Sequence, residues 1–118
     1  MTIPALALLV GLSTYYAPGL MQEVANNRGV DLAGYSGVAL NDCDLLGEKV
    51  WLEWGPGEFT GPHPSVDCAE AGDLALREAQ GRVVEVDAET AQAVGFYGVG
   101  PRWVAVWFVE PVIVARAF

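Results

Sequence analysis

One stretch constrains the fold of this chain more than any other: Gly81–Val109, GRVVEVDAETAQAVGFYGVGPRWVAVWFV. Val83, Val84 and Val86 are β-branched and suit a strand, whereas the alanine-rich run Ala88–Val94 suits a helix of about two turns. Asp87 stands where an N-cap is wanted, because its carboxylate can accept from the free amides of the first turn. Gly95 stands where a left-handed C-terminal residue is wanted. A glycine-rich turn, Gly98-Val99-Gly100-Pro101, then leads into Trp103–Val109. Its apolar residues fall on both faces, which predicts a strand buried on both sides. Strand, short capped helix, turn and strand within 29 residues fit a tightly wound β structure and leave no room for a long helix.

The rest of the composition agrees. The chain has 118 residues, enough for one modest core and too few for two. Apolar residues make up 53%, with four Trp, 14 Gly and 7 Pro. Many short strands joined by tight turns are the expectation, in a small all-β barrel with accessory helical turns. A single domain is read over 1–118, with apolar extensions at 1–10 and 111–118. Pro111 lacks an amide donor and marks departure from the last strand. Both extensions are expected to dock, on their own barrel or on a neighbouring subunit, because free apolar tails aggregate.

Fifteen acidic residues stand against six basic ones, for a formal net charge of -9, and Lys49 is the only lysine. Such a chain repels polyphosphate, so nucleic acid and anionic membrane surfaces are poor partner candidates. Met1–Leu12 has the apolar run of a signal segment but no basic flank. The C-terminal run is broken by Arg102, Glu110, Pro111 and Arg116, so neither end reads as a membrane span. No phosphate loop, nucleophile elbow or zinc-spaced His/Cys set occurs, and no cofactor or metal is expected. Gly95–Gly100 follows a helix instead of opening one, unlike a dinucleotide fingerprint.

Further pieces precede Gly81 in an ordered series. Gly11–Gly19, GLSTYYAPG, has a small residue and aromatics followed by a glycine loop. Val38–Asn41 and Leu46–Leu52 are two strands joined through a leucine-glycine turn, and Ser65-Val66-Asp67 is a strand end carrying an acid. Together with Gly81–Val109, this order resembles the rare lipoprotein A and expansin families, relatives of barwin. The resemblance covers roughly Gly11–Val109 and implies a six-stranded double-psi β-barrel with one or two short helices.

It also implies a site. Asp67 matches the aspartate taken as the acid that protonates a glycosidic oxygen, a task that needs a carboxyl with raised pKa. Thr14 resembles the hydroxyl that supports this acid in expansins. Asn41 stands at the family's histidine position and cannot shuttle a proton. The family's Asp-Arg-Gly-Pro tetrad is replaced by Asp67-Cys68-Ala69-Glu70, so Glu70 is a second carboxylate to weigh. Tyr15, Tyr16, Trp51 and Trp54 are candidates for a sugar-stacking platform. His63 is expected in a loop, Gly55–Pro64, solvated or reaching the groove in place of the missing base. An insertion, Ala71–Gln80, is expected to form a short surface helix over the groove through Leu74, Ala75 and Glu78. In barwin-like relatives a cysteine closely follows the acid, as Cys68 does here; Cys43 and Cys68 are either a bridge or two buried thiols.

Two functions remain. One is a barrel associated with a cell-wall glycan such as peptidoglycan, acting as a lytic transglycosylase-like enzyme or an expansin-like binder with a degenerate site. The other is a structural subunit of a virion, tail or surface assembly, a homo-oligomer or larger complex using its apolar ends as contacts. Both favour an extracellular, envelope or virion setting over the cytoplasm.

Overall fold

The computed structural model describes residues 8–69 and 71–111. Six strands close into a barrel: β1 (Leu8–Tyr15), β2 (Val38–Leu40), β3 (Lys49–Gly55), β4 (Glu58–Cys68), β5 (Arg82–Val86) and β6 (Arg102–Trp107). Their order around the wall is β1-β5-β2-β4-β3-β6, with β6 returning to β1. The β1–β5 and β2–β4 pairs are parallel, and the other four are antiparallel. The expectation of a small all-β barrel is met. Three α-helices accompany it, one or two more than expected: α1 (Leu20–Arg28), α2 (Ala71–Ala79) and α3 (Ala88–Val94).

The segment that most constrained the sequence folds as its residues dictate. Val84 and Val86 of β5 are fully buried. The Asp87 carboxylate accepts from the Thr90 amide at 2.7 Å, and Gly95 closes α3 in the left-handed region at φ 88°. That cap shape is free of steric cost only for glycine. Inward-facing Val38, Leu40, Val50, Leu52, Val104 and Val106 meet Trp54, Ala91 and Phe96 in one core. Shortening a residue such as Leu52 to alanine should cost about 2–5 kcal/mol. At Gly11 a Cβ would lie 2.5 Å from a Val83 methyl, so the close approach of β1 to β5 requires glycine there.

Four sequence expectations are corrected. β1 begins at Leu8 and pairs with β6 from that residue, so Leu8, Leu9 and Val10 belong to the barrel and not to an extension. α1 was unforeseen. Its Met21 and Ala25 bury against Val66 on the outer face of β4, a small second core. Its signal was present in the Met21, Val24, Ala25 spacing between Gly19 and Gly29.

Gly55–Pro64 is not a loop, because β4 starts at Glu58 directly after a Pro56-Gly57 turn. His63 is therefore a strand residue, 4% exposed. Its Nδ1 lies 2.9 Å from the Ser36 carbonyl, which can only accept, so Nδ1 carries the proton and Nε2 accepts from the Thr60 hydroxyl at 2.7 Å. Thr60 in turn accepts from Trp54 Nε1 at 2.8 Å. Burial holds the His63 pKa below its ordinary value, only partly offset by the Ser36 carbonyl and Asp87.

Finally, β6 is buried on one face and not on two: Val104 and Val106 point inward, while Trp103 is 66% exposed. A barrel wall has a core on its inner side only. The outer side is buried only where a helix covers it, and the sequence of a strand does not say where helices lie.

Candidate functional site

A groove of about 500 Å³ opens across the ends of β4 and β5, between α1 and α2. Tyr16, Asn27, Arg28, Asp67, Asp73, Arg77 and Glu85 supply its polar lining. Asp67 sits on its floor because it lies next to last in β4, where the parallel ladder with β2 ends.

Three donors converge on the Asp67 carboxylate. Oδ2 accepts from the Tyr16 hydroxyl at 2.7 Å, and Oδ1 accepts from Arg28 Nη2 at 2.7 Å and from the Cys68 amide at 2.9 Å. Partial burial alone would raise the Asp67 pKa. The Tyr16 hydroxyl, the Cys68 amide and the Arg28 guanidinium together outweigh it and hold the carboxyl below its usual range. The raised pKa expected of a glycosidic acid is thus overturned: in this arrangement Asp67 is an ionised acceptor near neutral pH. Tyr16 shifts the opposite way. Burial first, and then its bond to the carboxylate, push the phenol well above its ordinary value.

A second network lies behind the first. Arg77 donates through Nε to Asn41 Oδ1 at 2.8 Å and through Nη1 to Glu85, while Asn41 Nδ2 donates to the Arg82 carbonyl at 2.9 Å. Arg82 Nη2 reaches both Glu85 Oε1 at 2.8 Å and Thr14 Oγ1 at 3.1 Å. Asn41, at the position where the resembled family carries a histidine, is bonded on both sides of its amide and positions Arg77. Thr14 is tied to Arg82, and among the described residues the hydroxyl bonded to Asp67 is that of Tyr16. Arg77 Nη2 and Arg82 Nε find no acceptor among the described residues. The network therefore holds more donor capacity than it uses.

The four aromatics do not gather into one platform. Tyr16 lines the groove, whereas Tyr15 meets Phe96 edge to face, packs at a tilt against Tyr97 and accepts from the Gly98 amide. Trp54 is in the core, and Trp51 faces outward beside Trp107. Period-2 alternation sends Trp51 and Trp54, three residues apart on one strand, to opposite faces. His63 is enclosed in the wall and is not part of the groove lining. Glu70 lies outside the described residues.

Cys43 and Cys68 are joined by a disulfide. It ties the short 3₁₀ turn Cys43–Leu45 after β2 to the end of β4, one residue beyond Asp67. Closing a loop of sequence separation 25 stabilises by about 3 kcal/mol in the chain-entropy model.

Arg28 and Arg77 are two of the site residues that sequence reasoning missed, with Glu85 and Arg82 of β5 beside them. Arg28 rides on the unforeseen α1. Arg77 is on the foreseen helix α2 and takes its most buried described position, 7% exposed. A guanidinium sits there because Glu85 and Asn41 stand opposite it. That complementarity is between segments and leaves no local pattern. No group of metal-ligating side chains occurs among the described residues. No helix among them is long and apolar enough to cross a membrane. In comparisons with known proteins, no family model matches the chain and no curated protein matches it.

Proposed function

We propose that this chain is a double-psi barrel of the rare lipoprotein A and expansin type that associates with a cell-wall glycan through the α1–α2 groove, binding the polymer more than cleaving it. The observation that carries this reading is the Asp67 carboxylate, held on the groove floor by Tyr16 and Arg28. A planar acceptor, a phenol and a guanidinium at one point suit sugar hydroxyls, which donate and accept together. Two parallel pairings between strands that are not consecutive, β1–β5 and β2–β4, support the barrel type.

Weak cleavage follows from the protonation state. A glycosidic acid must carry a proton, and three donors aimed at Asp67 favour its loss. Asn41 supplies no base. A second reading, a non-catalytic structural subunit of a virion, tail or surface assembly, is favoured by the exposed Trp103 on the outer face of β6.

The test is co-sedimentation with peptidoglycan sacculi, with mass spectrometry of the soluble fraction, beside Asp67→Asn. The glycan reading expects co-sedimentation reduced several-fold in the variant, and no anhydro-muropeptides above blank. Absence of co-sedimentation from folded protein would overturn glycan association. Products that vanish with Asp67→Asn would make the chain an enzyme in place of a binder.

A further inference from the structure

A second cavity, of about 440 Å³, lies at the other end of α1 from the groove. The start of α1 borders it through Gly19, Met21 and Gln22, while Val24, Asn27 and Arg28 border the groove. The two hollows also adjoin along the barrel. Glu85 lines the groove and Asp87 the cavity, and Asp87 is still extended at φ -74° and ψ 166°. Both side chains therefore leave the same outer face, on either side of the inward Val86. Tyr16 and Pro18 repeat this step on the neighbouring segment, where the Tyr16 amide donates to the Val86 carbonyl at 2.8 Å. Two residues of extended chain span about 7 Å, less than a disaccharide, so a single glycan chain can lie in both hollows.

The cavity presents an aromatic ring on a firm base. Tyr35 is 47% exposed, on a loop that is anchored on each side of it. Before it, Leu32 packs against the small second core, and the Leu32 carbonyl accepts from the Tyr35 amide at 2.9 Å. After it, the Ser36 carbonyl accepts from the enclosed His63, and Gly37 lies so close to the second core that a Cβ there would fall 2.9 Å from a Leu32 methyl. Ala33, just before the ring, takes the left-handed conformation at φ 52°, which a non-glycine residue keeps only where its surroundings hold it. A ring fixed in this way loses little freedom when a ligand packs on it. His63, which the groove does not use, thus ties the Tyr35 loop to β4.

The rest of the lining selects the kind of ligand. Gln22 and Gln92 bring amides, which donate and accept as sugar hydroxyls do. Asp87 and Glu89 are the charged side chains of the lining, and no basic one joins them. That set suits an uncharged sugar ring and disfavours an anion. We propose that this cavity is a second sugar subsite, in which Tyr35 packs on an uncharged ring of the same glycan chain whose neighbouring units lie against Asp67. The inference rests on the glycan reading of the groove and gives the polymer a course, along α1 from Arg28 toward Tyr35.

NMR titration of the full chain with peptide-free peptidoglycan strands, sorted into disaccharides and octasaccharides, tests the proposal. Octasaccharides, which reach both hollows, should bind at least about tenfold tighter than disaccharides. Tyr35→Ala and Gln92→Ala should each remove most of that gain while leaving disaccharide binding and the circular dichroism unchanged, and Tyr35→Phe, which keeps the ring, should retain it. Equal affinities for the two lengths, or a length gain that persists in both alanine variants, overturn the subsite and leave the glycan reading of the groove standing. Folded protein that binds neither length overturns both.

Discussion

The two sides of this barrel solve the problem of an outer surface in opposite ways. On the β4–β5 side, α1 and α2 cover the strands and the space between them fills with ion pairs; on the β1–β6–β3 side no helix among the described residues packs substantially on the strands, and Val10 and Trp103 are exposed. The inner faces of both are the same valine-rich core. The difference teaches that the barrel itself dictates only what points inward. Each outer face is free to differ, one lined by charged side chains and the other carrying exposed apolar ones.

The largest effect should come from breaking the groove network at its buried end. Arg77→Ala leaves Glu85 uncompensated by its most buried partner and Asn41 Oδ1 without its donor. A loss of about 3–5 kcal/mol in urea unfolding is expected, whereas a loss below about 1 kcal/mol would show that Arg82 suffices to hold Glu85. Replacing both cysteines by alanine should cost about 3 kcal/mol and loosen the groove side selectively. Faster amide exchange at the end of β4, with β6 unchanged, is the signature to measure.

Asp67→Asn should cost far less, at most about 1 kcal/mol, since the Arg28 side chain is 39% exposed and its pair is screened. Its clearer readout is spectroscopic: the Tyr16 phenol, no longer facing a carboxylate, should ionise at lower pH in an alkaline absorbance titration. The pH dependence of stability has a definite sign. The folded-state pKa of Asp67 lies below the unfolded value of 3.8, so its contribution is present above that pH and is lost as pH falls toward the folded pKa. The difference in stability between wild type and Asp67→Asn should shrink over that acid range and stay constant above it.

The smallest change in stability belongs to the β1–β6–β3 side. Trp103→Lys should shift unfolding by no more than about 0.5 kcal/mol, because its side chain is mostly in water. A drop of several kcal/mol at low protein concentration would mean that Trp103 is packed, and the contrast between the two sides would fail.

The sequence by itself determined the elements whose causes are local. α3 is legible because Asp87 and Gly95 bracket it with caps, and β5 because three valines follow a glycine. The barrel class followed from short strands and turn residues, and Asp67 was legible as a strand-end acid. Tertiary structure alone decided the rest. The pKa of Asp67 depends on donors 51 and 39 residues away in sequence, Tyr16 and Arg28, and the sign of its shift could not be read until they converged. Trp51 and Trp54 were separated by strand alternation once β3 had a register, and His63 was enclosed when the loop around it became strand. Whether Trp103 faces solvent or a helix was settled by where α1 and α2 pack. Local sequence encodes backbone preference and burial period, but charge pairing and surface cover are relations between segments that only closure of the barrel brings together.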